Sequence, residues 1–542
     1  MQPSALISLP PTGSVSVPNG RHDEAPISKL HRDILWHIFM KNADMSITSS
    51  SHDLIHLSAA FSALTTARRS SQVCRHWRDV ILSSSSVWSR CIDLHDLRQE
   101  HPHWRDEVLL RTGQSPLHVK GIIATSDETM FLLSLLDSNW ERIRELEIDI
   151  LDYSAVNDVR WSVFLRPAPT VRSVSIAFRW QTIVPDILST QNIPIFADHA
   201  PALVWFTSSN ILFRMPASSH PQLRHLDLKG RFTVAQLLGT LSQMLCIEYL
   251  SISGRRDQPI ENTPMLKFPH TNFPRLSYIS LYGSFGRCLT LLEHITPAPG
   301  CSLKLSTSSA GGLVNMQPRV SAVFHYAQSL FDSHIASKLD LKIRNNRFLL
   351  SCEEVVVPPS DSDSRRLPGF VFDIVGITRI SILPLDSLLY SLSTCRLDKV
   401  TTLAIHPLLP DSESDFFNTN FTPFITMLHS LETLETTQGF FDILFKTDES
   451  RLVFPSLKKI IYKFYNTFPS DFMKSFLFRR QELGIPIQDL EISPSYSSFY
   501  QDMRPLDTLT GLRLKWKQGD ILKEYTCGSG NPECLNLAKD LV

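Results

Sequence analysis

The chain has 542 residues, of which 43% are hydrophobic, so it is long enough for several domains or an extended array of repeats, and it can bury a core. Its 53 lysines and arginines almost balance its 54 aspartates and glutamates, which excludes a domain-wide basic field able to hold a nucleic-acid backbone or an anionic membrane. Its nine cysteines are scattered without the dense spacing of a disulfide scaffold, which favours reduced intracellular thiols.

The first residues of the chain, 1–25, are rich in proline, serine and glycine, and we expect them to be disordered. They contain no basic stretch followed by an apolar one, as a signal peptide would. The chain also lacks a run of roughly 18 consecutive apolar residues, which a membrane-spanning helix needs. We therefore expect a protein of the cytoplasm, the nucleus or both, with no membrane partner.

The first predicted helix follows Ser28, a residue type that caps helix N-termini. Its apolar side chains recur at helical intervals and form one stripe, which consists of Leu30, Ile34, Leu35, Ile38 and Phe39. A second helical segment extends from about Asp53 to Leu82, as one bent helix or as two, and includes Val73 and Trp77.

Four serines, residues 83–86, interrupt the helical pattern before a short turn that contains Val87, Trp88 and Cys91. Three helices of this length have too little shared interior to enclose two tryptophans, Phe39 and a leucine stripe. Part of this apolar surface must then be covered, either by a partner molecule or by the domain downstream. Helix periodicity leaves both alternatives open.

Two half-motifs in this region resemble the F-box. Residues 27–39, Ile-Ser-Lys-Leu-His-Arg-Asp-Ile-Leu-Trp-His-Ile-Phe, are similar to its opening, usually Leu-Pro-x-Glu-(Ile/Leu)-Leu-x-x-Ile-Phe. Residues 71–81, Ser-Gln-Val-Cys-Arg-His-Trp-Arg-Asp-Val-Ile, followed by Val-Trp-Ser-Arg at 87–90, resemble its second half. The arrangement is similar to the F-box-like proteins of fungi, in which a longer polar insert, here residues 42–51, separates the halves. His31 stands in place of the usual proline, and Asp33 in place of the usual glutamate.

The resemblance implies a small all-helical F-box-like domain over residues 26–94, which docks on the Skp-type linker protein of a cullin–RING ubiquitin ligase. Carried over position by position, the residues that would contact the linker protein are Leu30, Ile34, Leu35, Ile38, Phe39, Val73, Cys74, Trp77 and Trp88. Among these, Trp77 and Trp88 fit an interface and a domain interior equally well.

From Trp104 onward, predicted helices and strands alternate: a helix over 104–111 closed by Gly113, a strand over 117–123, a helix over 127–136 and a strand over 143–150. A unit of the form Pro-x-Leu-x-x-Leu-x-Leu then recurs, most clearly at residues 221–228, 274–281 and 455–461. Its middle position recurs at intervals that bracket the leucine-rich-repeat period of about 20 to 29 residues. The series of middle positions is Leu146, Val174, Leu203, Leu226, Leu250 and Ile279, and then Leu403, Leu434, Ile460, Leu490 and Leu512.

A strand of this kind cannot bury its own apolar face, whereas stacked copies can. We therefore expect an α+β chain in which an irregular α/β leucine-rich-repeat solenoid, residues 95–525, follows the helical module; a non-repetitive α/β domain with similar strand entries is the alternative. Within the less regular interval 282–399, the segments 303–305, 339–343 and 377–382 are candidate strands.

Three polar stretches fall outside this pattern. The acidic, serine-rich segments 358–364 and 410–415 are predicted to be exposed loops, and residues 526–542 a C-terminal tail. Because the repeats are irregular, the sequence does not show which face of the solenoid would bind a target.

The sequence contains no phosphate-binding glycine loop, no nucleophile elbow and no His-Glu-x-x-His helix, and Cys527 and Cys534 are too far apart for a zinc knuckle. We therefore expect a protein that is not an enzyme and has no catalytic residue, metal or cofactor. The first hypothesis is a substrate-recognition adaptor that binds the Skp-type linker protein, and through it a cullin, and an unknown target protein on the repeats, with no nucleic acid. The second is a leucine-rich-repeat interaction scaffold with no role in ubiquitin transfer.

Overall fold

The computed structural model of the chain describes residues 30–45, 62–98, 102–152, 157–178, 185–189, 194–209, 211, 221–230, 232–254, 268–308, 317–344, 347–353, 369–375, 389–390, 392–408, 421–447, 453–464, 471–494, 502–518 and 521–536. The protein has a mixed α/β fold with a large, mostly parallel sheet. It divides into two compact units, Met1–Lys120 and Gly121–Val542. The predicted disordered start, residues 1–25, lies outside the described residues.

The first unit begins with four short helices. They are α1 (Arg32–Asn42), α2 (Ala63–Ser70), α3 (Arg75–Leu82) and α4 (Ser85–Trp88). Helix α1 begins at Arg32, where the imidazole of His31 accepts a hydrogen bond from the backbone N–H of Asp33; Ser28 is outside the described residues. The second predicted segment contains two separate helices, α2 and α3, and its residues 53–61 are not described.

The remainder of the first unit contains strand β1 (Ile92–Asp93), helix α5 (Pro102–Arg111) and strand β2 (Leu117–Ile123), which crosses the boundary between the units. Strands β1 and β2 pair in parallel, with Ile92 opposite Val119. Gly113, at φ +51°, adopts the left-handed conformation that commonly ends a helix. The helix and strand predicted for this region are therefore confirmed.

The second unit is built on a long sheet. Its strands are β3 (Ile143–Ile150), β4 (Ser173–Phe178), β5 (Trp205–Ser209), β6 (His225–Lys229), β7 (Tyr249–Ser253), β8 (Thr271–Phe273), β9 (Tyr278–Ser284), β10 (Ile295–Pro297), β11 (Ser302–Ser308), β12 (Lys338–Arg344), β13 (Arg347–Glu353), β14 (Phe370–Val375), β15 (Thr402–Leu408), β16 (Thr433–Thr436), β17 (Lys459–Phe464), β18 (Asp489–Pro494), β19 (Arg513–Gln518) and β20 (Ile521–Thr526). Strands β3, β4, β5, β6, β7, β9 and β11 pair in parallel in that order, whereas β8 and β10 form a separate two-stranded parallel sheet.

One set of side chains along these strands faces the interior and forms a buried ladder. In the register of the sheet, this ladder passes through Leu146, Val174, Phe206, Leu226, Leu250, Ile279 and Leu303. The predicted series is wrong at Leu203, which lies in the turn before β5, while Phe206 takes the ladder position. It is wrong again at Leu512, because Leu514 is the residue that pairs with Leu490.

A backbone motif recurs at the start of the repeated strands. The carbonyl oxygen of Arg224 accepts hydrogen bonds from the N–H groups of both Glu248 and Tyr249. The carbonyl of Glu432 is shared in the same way by Lys458 and Lys459, more than two hundred residues later in the chain. The turns that lead into β7 and β17 thus share the same backbone hydrogen bonds, even though the leucine patterns of the two segments differ.

Helices connect many of these strands. They are α6 (Ser126–Asn139), α7 (Asp186–Ser189), α8 (Val234–Leu241), α9 (Phe285–His294), α10 (Gln317–Ser333), α11 (Phe421–Thr426), α12 (Gln438–Thr447) and α13 (Asp471–Glu482). Capping boxes begin α6 and α8, with the pairs Thr125/Glu128 and Thr233/Gln236. Within the described residues, no helix combines the length and apolar character needed to cross a bilayer.

The interval 282–399 changes the strand order. There the sheet runs β11, β14, β13, β12, β15, and β13 is antiparallel to both of its neighbours. The predicted strands at 303–305 and 339–343 are confirmed within β11 and β12, whereas 377–382 and both predicted loops, 358–364 and 410–415, lie outside the described residues. Strands β13 and β14 were not predicted.

The C-terminal residues 526–536, which the sequence predicts to begin a tail, are packed against the last strands. Cys527 and Leu535 are buried, and the backbone N–H of Met503 donates to the carbonyl of Leu535 at 2.9 Å. Burial of these two side chains orders the segment despite its polar sequence. The remainder of the predicted tail, residues 537–542, is outside the described residues.

An arginine of α13 is buried beneath the turn that leads to β17. The guanidinium of Arg480 donates to the carbonyl oxygens of Val453, Phe454 and Leu457, each at 3.1 Å. Burial lowers the pKa of Arg480 to about 10, so the group remains charged at neutral pH. The side chain therefore anchors the helix to a turn whose carbonyls strand pairing does not satisfy.

Candidate interaction surfaces

Three apolar side chains of the predicted linker-binding set are exposed on the first unit. Ile34 and Ile38, one helical turn apart on α1, are 51% and 38% exposed, and Val73, just before α3, is 56% exposed. Large aliphatic side chains this exposed in so small a unit are candidates for burial against a partner.

Three other members of the predicted set, Leu35, Phe39 and Trp88, are buried within the unit. The indole N–H of Trp88 donates to the carbonyl of Ile81 at 2.9 Å, and Phe39 packs edge-on against Trp77 with ring centroids 5.1 Å apart. These contacts hold α1, α3 and α4 together. The side chain of Leu35 therefore stabilises the fold and offers no surface to a partner.

The last three members, Leu30, Cys74 and Trp77, are half-buried. Cys74 precedes α3, where its sulfur accepts a 3.5 Å hydrogen bond from the backbone N–H of Trp77. Cys74 thus occupies the N-cap position of α3, with its sulfur as a weak acceptor in place of the usual side-chain oxygen. Of the nine residues predicted to contact the linker protein, the fold therefore exposes three, buries three and leaves three half-buried.

Polar contacts that the sequence did not reveal fix the position of α1. The indole of Trp36 donates to the hydroxyl of Ser86 at 3.2 Å, and the guanidinium of Arg32 donates to that of Ser83 at 2.9 Å. These serines belong to the four-serine run, which the sequence indicated as a helix break and as a cap for the short turn that follows. Their contacts hold Ile34 and Ile38 on a fixed helix, the arrangement that helix recognition requires.

The second unit presents a polar face on its sheet. In each strand, the residues that alternate with the buried ladder point away from the core, and we name these positions the outward face. Serine, threonine and charged residues dominate it, as in Ser173, Thr207 and Lys304. The alternation was visible in the sequence, but the neighbouring strands had to be known before these residues could be assembled into a surface.

An aromatic ladder crosses part of the outward face. Trp205, His225, Tyr249 and Tyr278 are register partners on β5, β6, β7 and β9. Their rings are stacked, with centroid separations of 3.2, 3.8 and 4.6 Å from one pair to the next. Stacked rings in adjacent strands stiffen each other, so the ladder is a preformed element of the surface.

On β5, at one end of the aromatic ladder, the exposed indole of Trp205 donates to the hydroxyl of Thr207 at 3.1 Å. On β9, at the other end, burial raises the pKa of Tyr278 and keeps its hydroxyl protonated. In the next row, the carboxylate of Asp227 pairs with Lys229 at 3.3 Å. A rigid indole beside hydroxyl groups is the kind of anchor that protein interfaces favour.

The outward face becomes charged toward the C-terminal strands. The carboxylate of Glu435 accepts hydrogen bonds from His406, at 3.2 Å, and from Lys463. The hydrogen bond with His406 is the main cause that lowers the pKa of Glu435 to about 2; burial opposes it, and the hydrogen bond and positive charge of Lys463 add to the lowering. On β13 and β14, the guanidinium of Arg347 makes a bidentate ion pair with the carboxylate of Asp373, at 2.7 and 2.9 Å.

Three of the buried cysteines, Cys91, Cys288 and Cys301, are poor candidates for a reactive site. Burial raises the pKa values of Cys91, Cys288 and Cys301 to about 12, so these thiols are protonated at neutral pH and are weak nucleophiles. No group of three or more histidine, cysteine or carboxylate side chains in the described chain could hold a metal ion.

Comparison with known proteins adds no relative to this picture. No model of a known protein family matches the chain, and no curated protein is significantly similar to it.

Proposed function

We propose that this protein is a substrate-recognition adaptor of a Skp/cullin/F-box-type ubiquitin ligase, acting in the cytoplasm or the nucleus. Its first unit would be an F-box-like module that docks on the Skp-type linker protein, and its second unit an irregular leucine-rich-repeat solenoid that binds a target protein. The protein would supply proximity and orientation for ubiquitin transfer and would perform no bond chemistry itself.

The observation that carries the first half of the proposal is the exposure of Ile34, Ile38 and Val73 on a helical unit whose two half-motifs resemble the F-box. Ile34 and Ile38 are spaced as the anchors of a helix that lies in an apolar groove. Because Leu35, Phe39 and Trp88 are already buried, the expected contact with the linker protein is reduced from nine residues to six. These six are Leu30, Ile34, Ile38, Val73, Cys74 and Trp77.

The second half of the proposal is supported by the repeated backbone turns and the in-register parallel strands of the second unit. Parallel strands that pair in chain order bury a shared core that no single strand and its connecting segment could form alone. Such an arrangement leaves one sheet face to solvent across many strands, and extended faces of this type suit the binding of another protein.

The test is co-purification with the Skp-type linker protein. We expect the pair Ile34→Asp, Ile38→Asp to weaken binding about a hundredfold or more, because each change places a charge in an apolar contact. A change at Leu35 is unsuitable since it would unfold the unit. The matched control is Leu110→Asp, Ile335→Asp, which alters two apolar side chains that are 75% and 72% exposed; Leu110 belongs to the first unit but lies outside the F-box-like residues 26–94, and Ile335 belongs to the second unit.

Loss of binding in the first pair with retention in the control supports the adaptor role. If the wild-type chain fails to bind the linker protein, the ligase proposal is incorrect. The second hypothesis, a leucine-rich-repeat interaction scaffold outside ubiquitin transfer, would then take its place.

A further inference from the structure

The charged part of the outward face has an asymmetry between its two signs. Asp340 is 15% exposed while its partner Lys342 is 36% exposed, and Asp489 is 15% exposed while its partner Arg513 is 48% exposed. In the Lys463–Glu435 pair the lysine is likewise the more exposed member. In these three pairs the cationic group is more exposed to solvent than its carboxylate, whereas Lys459 and Glu491 on the same face are equally exposed, at 35% and 36%.

Cations without a carboxylate partner add to this asymmetry. In the described part of the chain, Arg344 and Lys517 are both exposed and form no ion pair. Lys515 shares Asp489 with Arg513, so one carboxylate there faces two cations. We name the following six residues the basic face: Lys342, Arg344, Lys463, Arg513, Lys515 and Lys517.

Two like charges also face each other within this surface. Arg344 lies directly opposite Arg347 at the end of the β12–β13 hairpin. Like charges at paired positions destabilise a sheet unless an anion lies close to both. Asp373 compensates Arg347 but does not pair with Arg344, so a further anion at this end would be stabilising.

We propose that the basic face binds an acidic segment of the target protein. This inference rests on the proposed function, since it names the chemistry of the partner that the second unit would hold. From β12 to β19 the sheet spans five strand spacings of about 4.8 Å, or roughly 24 Å. An extended segment of about eight residues covers that distance. The net charge of the whole chain is −1, so the positive surplus here is local and not a property of the entire protein.

Nucleic acid fits this surface less well. The carboxylates paired with the cations leave a surplus too small to neutralise many phosphates. The described outward positions of β12–β19 also carry no phenylalanine, tyrosine or tryptophan on which bases could stack. A protein segment with spaced carboxylates matches both the spacing and the modest surplus.

The experiment measures fluorescence anisotropy of a labelled oligoglutamate of about twelve residues, with an oligoglutamine of equal length as the uncharged probe. The full chain is titrated at low salt. We expect oligoglutamate binding that the pair Arg344→Gln, Lys517→Gln weakens about three- to tenfold, and that weakens further as salt rises. The matched control, Arg275→Gln, Arg479→Gln, removes the same charge from exposed arginines outside the basic face and should bind like the wild type.

The proposal is overturned if the wild-type chain does not bind oligoglutamate, or if the control pair loses binding equally. It is also overturned if single-stranded polyuridine binds more tightly and is lost in the same variant, which would indicate a nucleic-acid surface. Co-purification with the linker protein should be unchanged in Arg344→Gln, Lys517→Gln, so a failure of this inference remains distinguishable from a failure of the ligase assignment.

Discussion

Glu435 is the most strongly perturbed acid on the outward face, and its contacts predict how stability depends on pH. Its hydrogen bonds with His406 and Lys463 lower its pKa from 4.5 to about 2 in the folded protein. A carboxyl whose folded pKa is depressed stabilises the protein above its unfolded pKa and loses that contribution as pH falls through the folded value. The contribution is therefore complete above about pH 5 and is lost between pH 4.5 and about 2.

We expect Glu435→Gln to lower the free energy of unfolding by about 2 kcal/mol at pH 7, since one unit of pKa shift corresponds to about 1.4 kcal/mol and partial exposure reduces the effect. The variant should also lose stability less steeply than the wild type between pH 4.5 and about 2. Urea unfolding over a pH series measures both quantities. Glu432→Gln, which removes a carboxylate paired with the exposed Lys458, should change stability by less than about 0.5 kcal/mol. Equal pH slopes in wild type and Glu435→Gln would contradict the assignment.

The apolar stripe of α1 shows which residue properties the sequence could predict and which it could not. Helical spacing correctly placed Ile34, Leu35, Ile38 and Phe39 on one helix, whereas Leu30 lies before α1, which begins at Arg32. It could not show that α3 and α4 would cover Leu35 and Phe39 and leave Ile34 and Ile38 exposed, because that depends on how the helices pack. The indole of Trp88 was ambiguous for the same reason, and the structure places it in the interior.

Among the elements, α13 and the turn before β17 depend on a single buried cation. Arg480 donates to three carbonyl oxygens of that turn. We expect Arg480→Met, which retains the apolar stem, to lower the free energy of unfolding by about 1–3 kcal/mol because all three carbonyls lose the guanidinium as a donor, and among the described residues only that of Phe454 keeps another, the backbone N–H of Leu457. The variant no longer buries a charged guanidinium, and the desolvation that is avoided offsets part of this loss of stability.

The control for this change is Arg479→Met, the exposed neighbour on α13. Its effect should remain within about 0.5 kcal/mol. Chemical denaturation compares the two variants, and hydrogen exchange at Phe454 and Leu457 locates the change. An Arg480→Met protein as stable as Arg479→Met would mean that the turn does not depend on the guanidinium.

The elements that sequence predicted best are those with local signals. Strand β2 and strand β3 were placed at their observed bounds because their apolar residues alternate. Strands β13 and β14 were missed because their sequences, Arg-Phe-Leu-Leu-Ser-Cys-Glu and Phe-Val-Phe-Asp-Ile-Val, lack the repeat pattern. Their pairing is set by neighbours distant in sequence. Register shows the same limit, since spacing alone favoured Leu203 over Phe206.

For the whole molecule, the proposed function and the inferred acidic partner together assign two surfaces that act separately. One is the exposed set Ile34, Ile38 and Val73 on the first unit, and the other is the basic face on the second. For the first surface, the resemblance to an F-box suggested these three residues together with others that the fold buries or half-buries. The second could not be predicted, because residues from strands far apart in sequence become neighbours only in the folded sheet.

The most direct test of the adaptor account measures both binding activities on the same proteins. Labelled Skp-type linker protein and labelled oligoglutamate are each titrated with wild type, Ile34→Asp/Ile38→Asp and Arg344→Gln/Lys517→Gln. We expect the first variant to lose only the linker protein and the second to bind only the acidic probe more weakly. A wild-type chain that does not bind the linker protein, or variants that lose both ligands together, would contradict an adaptor with two independent surfaces.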